Sequence, residues 1–164
     1  RRFYEVNLEL ALPDPPFQLN SPEMPIYTNA RSLPPNVLQG PEFEQVLLAD
    51  GCFIEDAQIR NSVIGVRSII GSQVVLRSSV MMGADYYESE EDIAENKRLG
   101  RPNIGIGAGS VIEGALIDKK ARIGRNVNIR YLPDRPDADH ENWVASDGLV
   151  VIPKSAIIPD GTVI

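Results

Sequence analysis

The chain has 164 residues, 43% of them apolar, and a formal net charge of −7. That length fits one domain with an appendage, and the acidic balance argues against nucleic acid as a partner. No apolar run approaches the roughly 18 residues of a membrane span, nothing resembles a signal peptide, and a single cysteine, Cys52, leaves no internal disulfide framework.

Residues 1–12 (RRFYEVNLELAL) read as the end of a helix, entered at Arg1 in mid-segment, so a missing N-terminal part is expected. Residues 13–41 hold eight of the thirteen prolines and read as an extended linker with little regular structure. Residues 1–45 are therefore expected to be a helix end and Pro-rich linker, and residues 46–164 the folded repeat.

In the second region apolar residues recur at a step of five or six. Leu48, Ile54, Ile59, Ile64, Ile70, Leu76 and Met82 make one ladder. Ile106, Ile112, Ile117, Ile123 and Ile129 make a second, and Ile152, Ile158 and Ile164 a third. A helix repeats at 3.6 and a strand at 2, so neither explains the step. A hexad that buries one residue per repeat predicts an all-β fold, a single-stranded parallel β-helix. An antiparallel sandwich would leave the ladder as coincidence. Small or β-branched residues four after the ladder position (Cys52, Ser68, Val74, Ser110, Val127, Ala156, Thr162) and Gly or Pro directly after it (Gly65, Gly71, Gly83, Gly107, Gly124, Pro153, Pro159) suit tight corners. Cys52, in such a position, reads as a buried packing residue.

Two stretches interrupt the hexads. Residues 84–103 are acidic, with a short exposed helix expected at Glu90–Leu99. Residues 131–148 are polar and turn-rich. Both read as loops extruded from corners, either functional or merely solvated. The one histidine, His140, lies in the second, between Asp139 and Glu141. It makes a poor acyl-transfer base, and with no His or Cys cluster a zinc site is not expected. The glycines of IGIGAG (Gly105, Gly107, Gly109) mimic a phosphate loop but fall inside hexads, as corners.

Lys119 and Lys154 each sit two residues after a ladder position, Ile117 and Ile152. With 131–148 extruded, three steps around a three-sided coil separate them, so they stack roughly 4.8 Å apart at the backbone. Ammonium groups that close repel by roughly 1 kcal/mol even in water. An anion between them relieves this; two solvated lysines that splay apart would relieve it as well.

FYEVNLEL (3–10), PIYTNARSLPP (25–35), IRNSVIGVRSII (59–70), MMGADYYE (81–88), IGIGAGSVI (104–112), ALIDKKARIG (115–124) and VVIPKSAIIPDGTVI (150–164) run the length of the chain. In that order they resemble the C-terminal portion of glucose-1-phosphate adenylyltransferase (ADP-glucose pyrophosphorylase), especially the cyanobacterial and plant small-subunit type. MGADYYE and IDKKARIG carry the specificity. The resemblance implies a left-handed coil, although parallel crossovers are normally right-handed.

It also implies a parent enzyme that joins ATP and glucose 1-phosphate, with magnesium, into ADP-glucose and pyrophosphate for glycogen or starch. Its catalytic residues and cofactor would lie in an N-terminal catalytic domain, leaving this chain inactive alone. What the resemblance assigns here is regulation and assembly: homo- or heterotetramers, in the cytoplasm or a plastid. An anionic effector, 3-phosphoglycerate first, with fructose phosphates or pyruvate open, would compete with inorganic phosphate at a site of Arg31, Lys119 and Lys154, with Asp118 adjacent. Residues 130–148 depart from the cyanobacterial and plant pattern. Two alternatives are a scaffold β-helix of another sugar-phosphate nucleotidyltransferase and a hexapeptide acyltransferase needing His140.

Overall fold

The computed structural model describes residues 1–19, 21–27 and 31–164. The repeat folds as a three-sided parallel coil. On the first face, Val37–Gln39, Phe53–Glu55, Ile69–Ile70, Gly105–Ile106, Arg122–Ile123 and Ile157–Ile158 form a six-stranded sheet. The second face pairs residues 42–44, 58–60, 75–77, 111–113 and 128–130 in succession. The third pairs 46–48, 62–64, 80–81, 115–117 and 150–152.

One inward row runs up each face. Ile54, Ile70, Ile106, Ile123 and Ile158 stack on the first, Ile59, Leu76, Ile112 and Ile129 on the second, and Ile64, Met81, Ile117 and Ile152 on the third, all buried. Each isoleucine so enclosed contributes roughly 1.5–3 kcal/mol relative to exposure. The expected corner residues Cys52, Ser68, Val74, Ser110, Val127 and Ala156 are buried too; Thr162, in the last coil, is half-buried. The Cys52 sulfur lies 3.3 Å from the carbonyl oxygens of both Ala49 and Gly65, and burial pushes its thiol pKa up.

Corner geometry corrects one ladder residue: the buried residue is Met81, not Met82. The corner from the second face to the third takes five residues per coil and turns on one left-handed residue, Gln45, Asn61, Ser78 or Gly114. The corner from the third face to the first takes six and places Gly51, Arg67, Lys120 and Ser155 at φ of 74°, 57°, 61° and 61°. Side chains rarely adopt that region, and here ladder hydrogen bonds hold them in it.

The coil also starts earlier than Val46. Val37–Gln39 pairs with Phe53–Glu55, and the Asn36 amide oxygen accepts the Cys52 N–H at 2.8 Å. A strand thus lies inside the Pro-rich stretch, because Pro34, Pro35 and Pro41 flank it and leave its own N–H groups free to pair. Ahead of the coil, helix α1 (Arg2–Glu9) lies on strands Gln58–Ile64 and Val80–Met81. Its Tyr4 hydroxyl donates to the Ser78 carbonyl, and burial raises the Tyr4 pKa to about 12.

The two insertions differ from each other. Residues 84–103 contain helix α2 (Glu90–Leu99), with a Ser89/Asp92 capping box and left-handed Gly100 as its stop. Its root is pinned by Glu88, whose carboxylate meets Arg122 at 2.7 Å and accepts from Asn96 Nδ2 and the Ile104 N–H, both at 2.7 Å. Residues 131–148, expected as a loop, instead form a ribbon. Ala138–Asp139 pairs antiparallel with Val144–Ser146, which pairs antiparallel with Leu149–Ile152. Its polar sequence hid the strands because only Ala145 turns fully inward. The ribbon covers the last edge of the third face, where a further coil would otherwise pair. Gly105–Ile106 is a strand of the first face and Gly109 a left-handed corner, so IGIGAG is coil, as expected.

Candidate anion-binding site

The corner between the third and first faces builds the site. Asp118 donates its N–H to the Ile152 carbonyl, and the Lys119 carbonyl accepts the Ser155 N–H at 3.0 Å. Those two bonds lock the Lys119 and Lys154 turns one above the other, as the hexad phase predicts. On the opposite side, the Lys120 N–H donates to the Gly83 carbonyl at 2.9 Å, which ties the first insertion to the same edge. Gly83 has a φ of +79°, and a Cβ there would collide with the Val66 carbonyl oxygen. Only glycine lets the chain leave the edge at this point.

The insertion then places Asp85 among the lysines. Lys119 Nζ donates to Asp85 Oδ1 at 2.7 Å, while Lys120 Nζ and Lys154 Nζ both stand 3.8 Å from Oδ2. The Lys119 hydrogen bond holds the Asp85 carboxyl below the usual range, aided by the charges on Lys154 and Lys120 and opposed by its partial desolvation. The Tyr86 ring lies 5.5 Å from Lys120 Nζ, as a cation–π contact. Asp118 faces inward to the backbone: its Oδ1 accepts the Lys119 N–H at 2.6 Å. Three half-exposed ammonium groups thus converge on one carboxylate, an arrangement that can hold an anion of compact, multidentate type.

Of the four residues expected, the structure brings together Lys119, Lys154 and Asp118. It does not bring in Arg31. That residue is exposed, and among the described residues no hydrogen bond or ion pair joins it to the lysines or to Asp85. It lies in a segment without regular structure, so no ladder bond fixes its position. Sequence reasoning missed Lys120 and Asp85. Lys120 was legible as the third residue of a six-residue corner. Asp85 was not, because it follows the last coil residue before a long insertion and has no hexad phase.

The single histidine sits elsewhere. His140 stacks on Trp143 with ring centroids 4.1 Å apart, and its N–H donates to the Trp143 carbonyl. It holds the tip of the ribbon together. A groove of about 740 Å³ beside α2 sets Lys97, Arg101 and Arg125 against Glu55 and Asp160, so most of its positive charge is offset locally.

A family model described as the GLGC left-handed parallel beta-helix domain matches residues 31–163.

Proposed function

Because the chain belongs to the family of GLGC left-handed parallel β-helix domains, the C-terminal portion of glucose-1-phosphate adenylyltransferases, we propose that it is the regulatory and assembly domain of such an enzyme. The parent would convert ATP and glucose 1-phosphate to ADP-glucose and pyrophosphate with magnesium, on a separate catalytic domain. The present chain would catalyse nothing alone. The observation that carries the regulatory reading is the convergence of Lys119, Lys120 and Lys154 on one carboxylate at a single corner. Ammonium groups held that close repel by roughly 1 kcal/mol even in water, and an anion among them turns that repulsion into attraction.

The effector would be a phosphorylated acid, with 3-phosphoglycerate first and inorganic phosphate as its competitor. Arg31 enters as a linker cation that the catalytic domain would have to bring to the lysines. Activation would be a population shift: the effector binds better when the two domains are packed in the active arrangement, and only that difference in affinity moves the equilibrium. Subunit contacts of a tetramer would use the aliphatic flank of the coil, and the site of action would be the cytoplasm or a plastid.

Calorimetric titration of 3-phosphoglycerate and phosphate into the full-length enzyme, beside its Lys119→Ala/Lys154→Ala variant, tests this. Competitive binding that the variant loses supports a regulatory anion site. Binding that persists at full strength in the variant leaves the domain a scaffold.

A further inference from the structure

The lysine site already contains an anion, and that anion is part of the chain. Asp85 is held there from both sides. Before it, Ala84 is buried and donates its N–H to the Val66 carbonyl at 2.9 Å. After it, the Tyr87 hydroxyl donates to the Gly51 carbonyl at 2.8 Å, and the Tyr87 ring packs edge-on against Phe53 at 5.8 Å. The intervening Asp85 and Tyr86 form a short exposed bridge between two anchored points. Root contacts of Glu88 with Arg122 and Asn96 fix the rest of the insertion independently of Asp85.

The fit of this internal anion is incomplete. Only Lys119 reaches it at hydrogen-bond distance, 2.7 Å. Lys120 and Lys154 stay at 3.8 Å, close enough for attraction and too far for a hydrogen bond. A carboxylate offers one charge and two oxygens to three ammonium groups. A phosphate dianion or phosphomonoester offers nearly twice the charge and three oxygens. Given the reading of this corner as an anion site, on which this step rests, we propose that Asp85 is a built-in competitor: it fills the three-lysine site when no ligand is present, and a phosphate-class anion binds by displacing it.

Two consequences follow from the geometry. Affinity for phosphate is lowered by the carboxylate that must leave, and simple carboxylate monoanions, which match Asp85 in charge, gain little by exchange. Displacement moves only the Asp85–Tyr86 bridge, so Tyr86 leaves the face of Lys120 while Tyr87 and α2 stay in place.

Inorganic phosphate, titrated calorimetrically into the full-length enzyme, is the probe. Asp85→Asn removes the competing charge while keeping the shape, and is expected to tighten phosphate binding by roughly three- to tenfold, the range of a few exposed ion pairs. Asp118→Asn removes an equal charge from the same corner, but one engaged with the Lys119 N–H rather than with the ammonium groups. It is expected to tighten binding far less. Equal tightening in both variants would mean that net charge alone acts, and overturns the proposal. Unchanged or weaker binding in Asp85→Asn also overturns it, while loss of binding in Lys119→Ala/Lys154→Ala still upholds the site. Phosphate binding that survives the loss of both lysines, or is absent from the parent, brings down the site and the competitor together.

Discussion

Asp85 and the lysines around it show how one residue's position decides its chemistry. Its carboxyl is held below the usual range chiefly by the Lys119 hydrogen bond. A carboxylate with a lowered pKa in the folded state contributes its stabilisation in full above the unfolded value, about 4, and loses it as pH falls through the lowered folded value. The expected outcome is a carboxyl titration of Asp85, followed by carbon-13 NMR, with its midpoint below that of a free aspartate. In Lys119→Ala the midpoint should rise toward the free value. An identical midpoint in both proteins would show that the 2.7 Å contact is not populated in solution. Lys119 and Lys154 could be paired from hexad phase alone, since both follow a ladder residue by two. Asp85 could not, because a side chain on an insertion takes its place from anchors distant in sequence, here Val66 and Gly51.

At the scale of the element, α2 was expected over Glu90–Leu99, and the structure bounds it with local signals: Ser89, an acidic first turn and Gly100. What holds α2 to the coil was not legible. The Glu88 side chain is 3% exposed and that of Arg122 13%, and their ion pair ties the root of the insertion to the first face. Removing one member of such a pair strands the other charge away from water. Glu88→Ala is therefore expected to destabilise the protein by about 3 kcal/mol, read as a lowered urea midpoint. Hydrogen exchange should quicken first across residues 84–103. A cost below about 1 kcal/mol, the ordinary value of an exposed pair, would show that water reaches Arg122. The second insertion taught the opposite lesson. Its turn-forming residues are real turns, yet they join strands whose partner, Leu149–Ile152, belongs to the coil itself. A strand's existence there depends on an available edge more than on its own composition.

Across the whole molecule, each coil rests on its neighbours, so the cost of a core cavity depends on where the coil lies in the stack. Ile112 is fully buried, between Leu76 and Ile129 in the second-face row. Ile164 follows Ile129 on that face, hydrogen-bonded through its backbone to Asn128 and Arg130, with 8% of its surface exposed. Ile112→Ala is expected to cost roughly 3–5 kcal/mol and Ile164→Ala less than half of that, measured by denaturant unfolding. Equal costs would mean that the stack unfolds with its end coil as rigid as its centre.

The sequence by itself determined the coil: a ladder at five or six residues admits one architecture, and its phase already placed Lys119 over Lys154. It also carried the family, through motifs spread along the chain. The tertiary structure alone decided the five-residue corner that makes Met81 the buried residue, the start of the coil at Val37, the ribbon that closes the third face, and the arrival of Asp85 among the lysines. The physical reason is the range of the interactions involved. A repeat writes its burial pattern locally, in every hexad. A corner's exact length, an edge to be covered and a charge to be neutralised are settled between segments tens of residues apart, and no single stretch of sequence contains both partners.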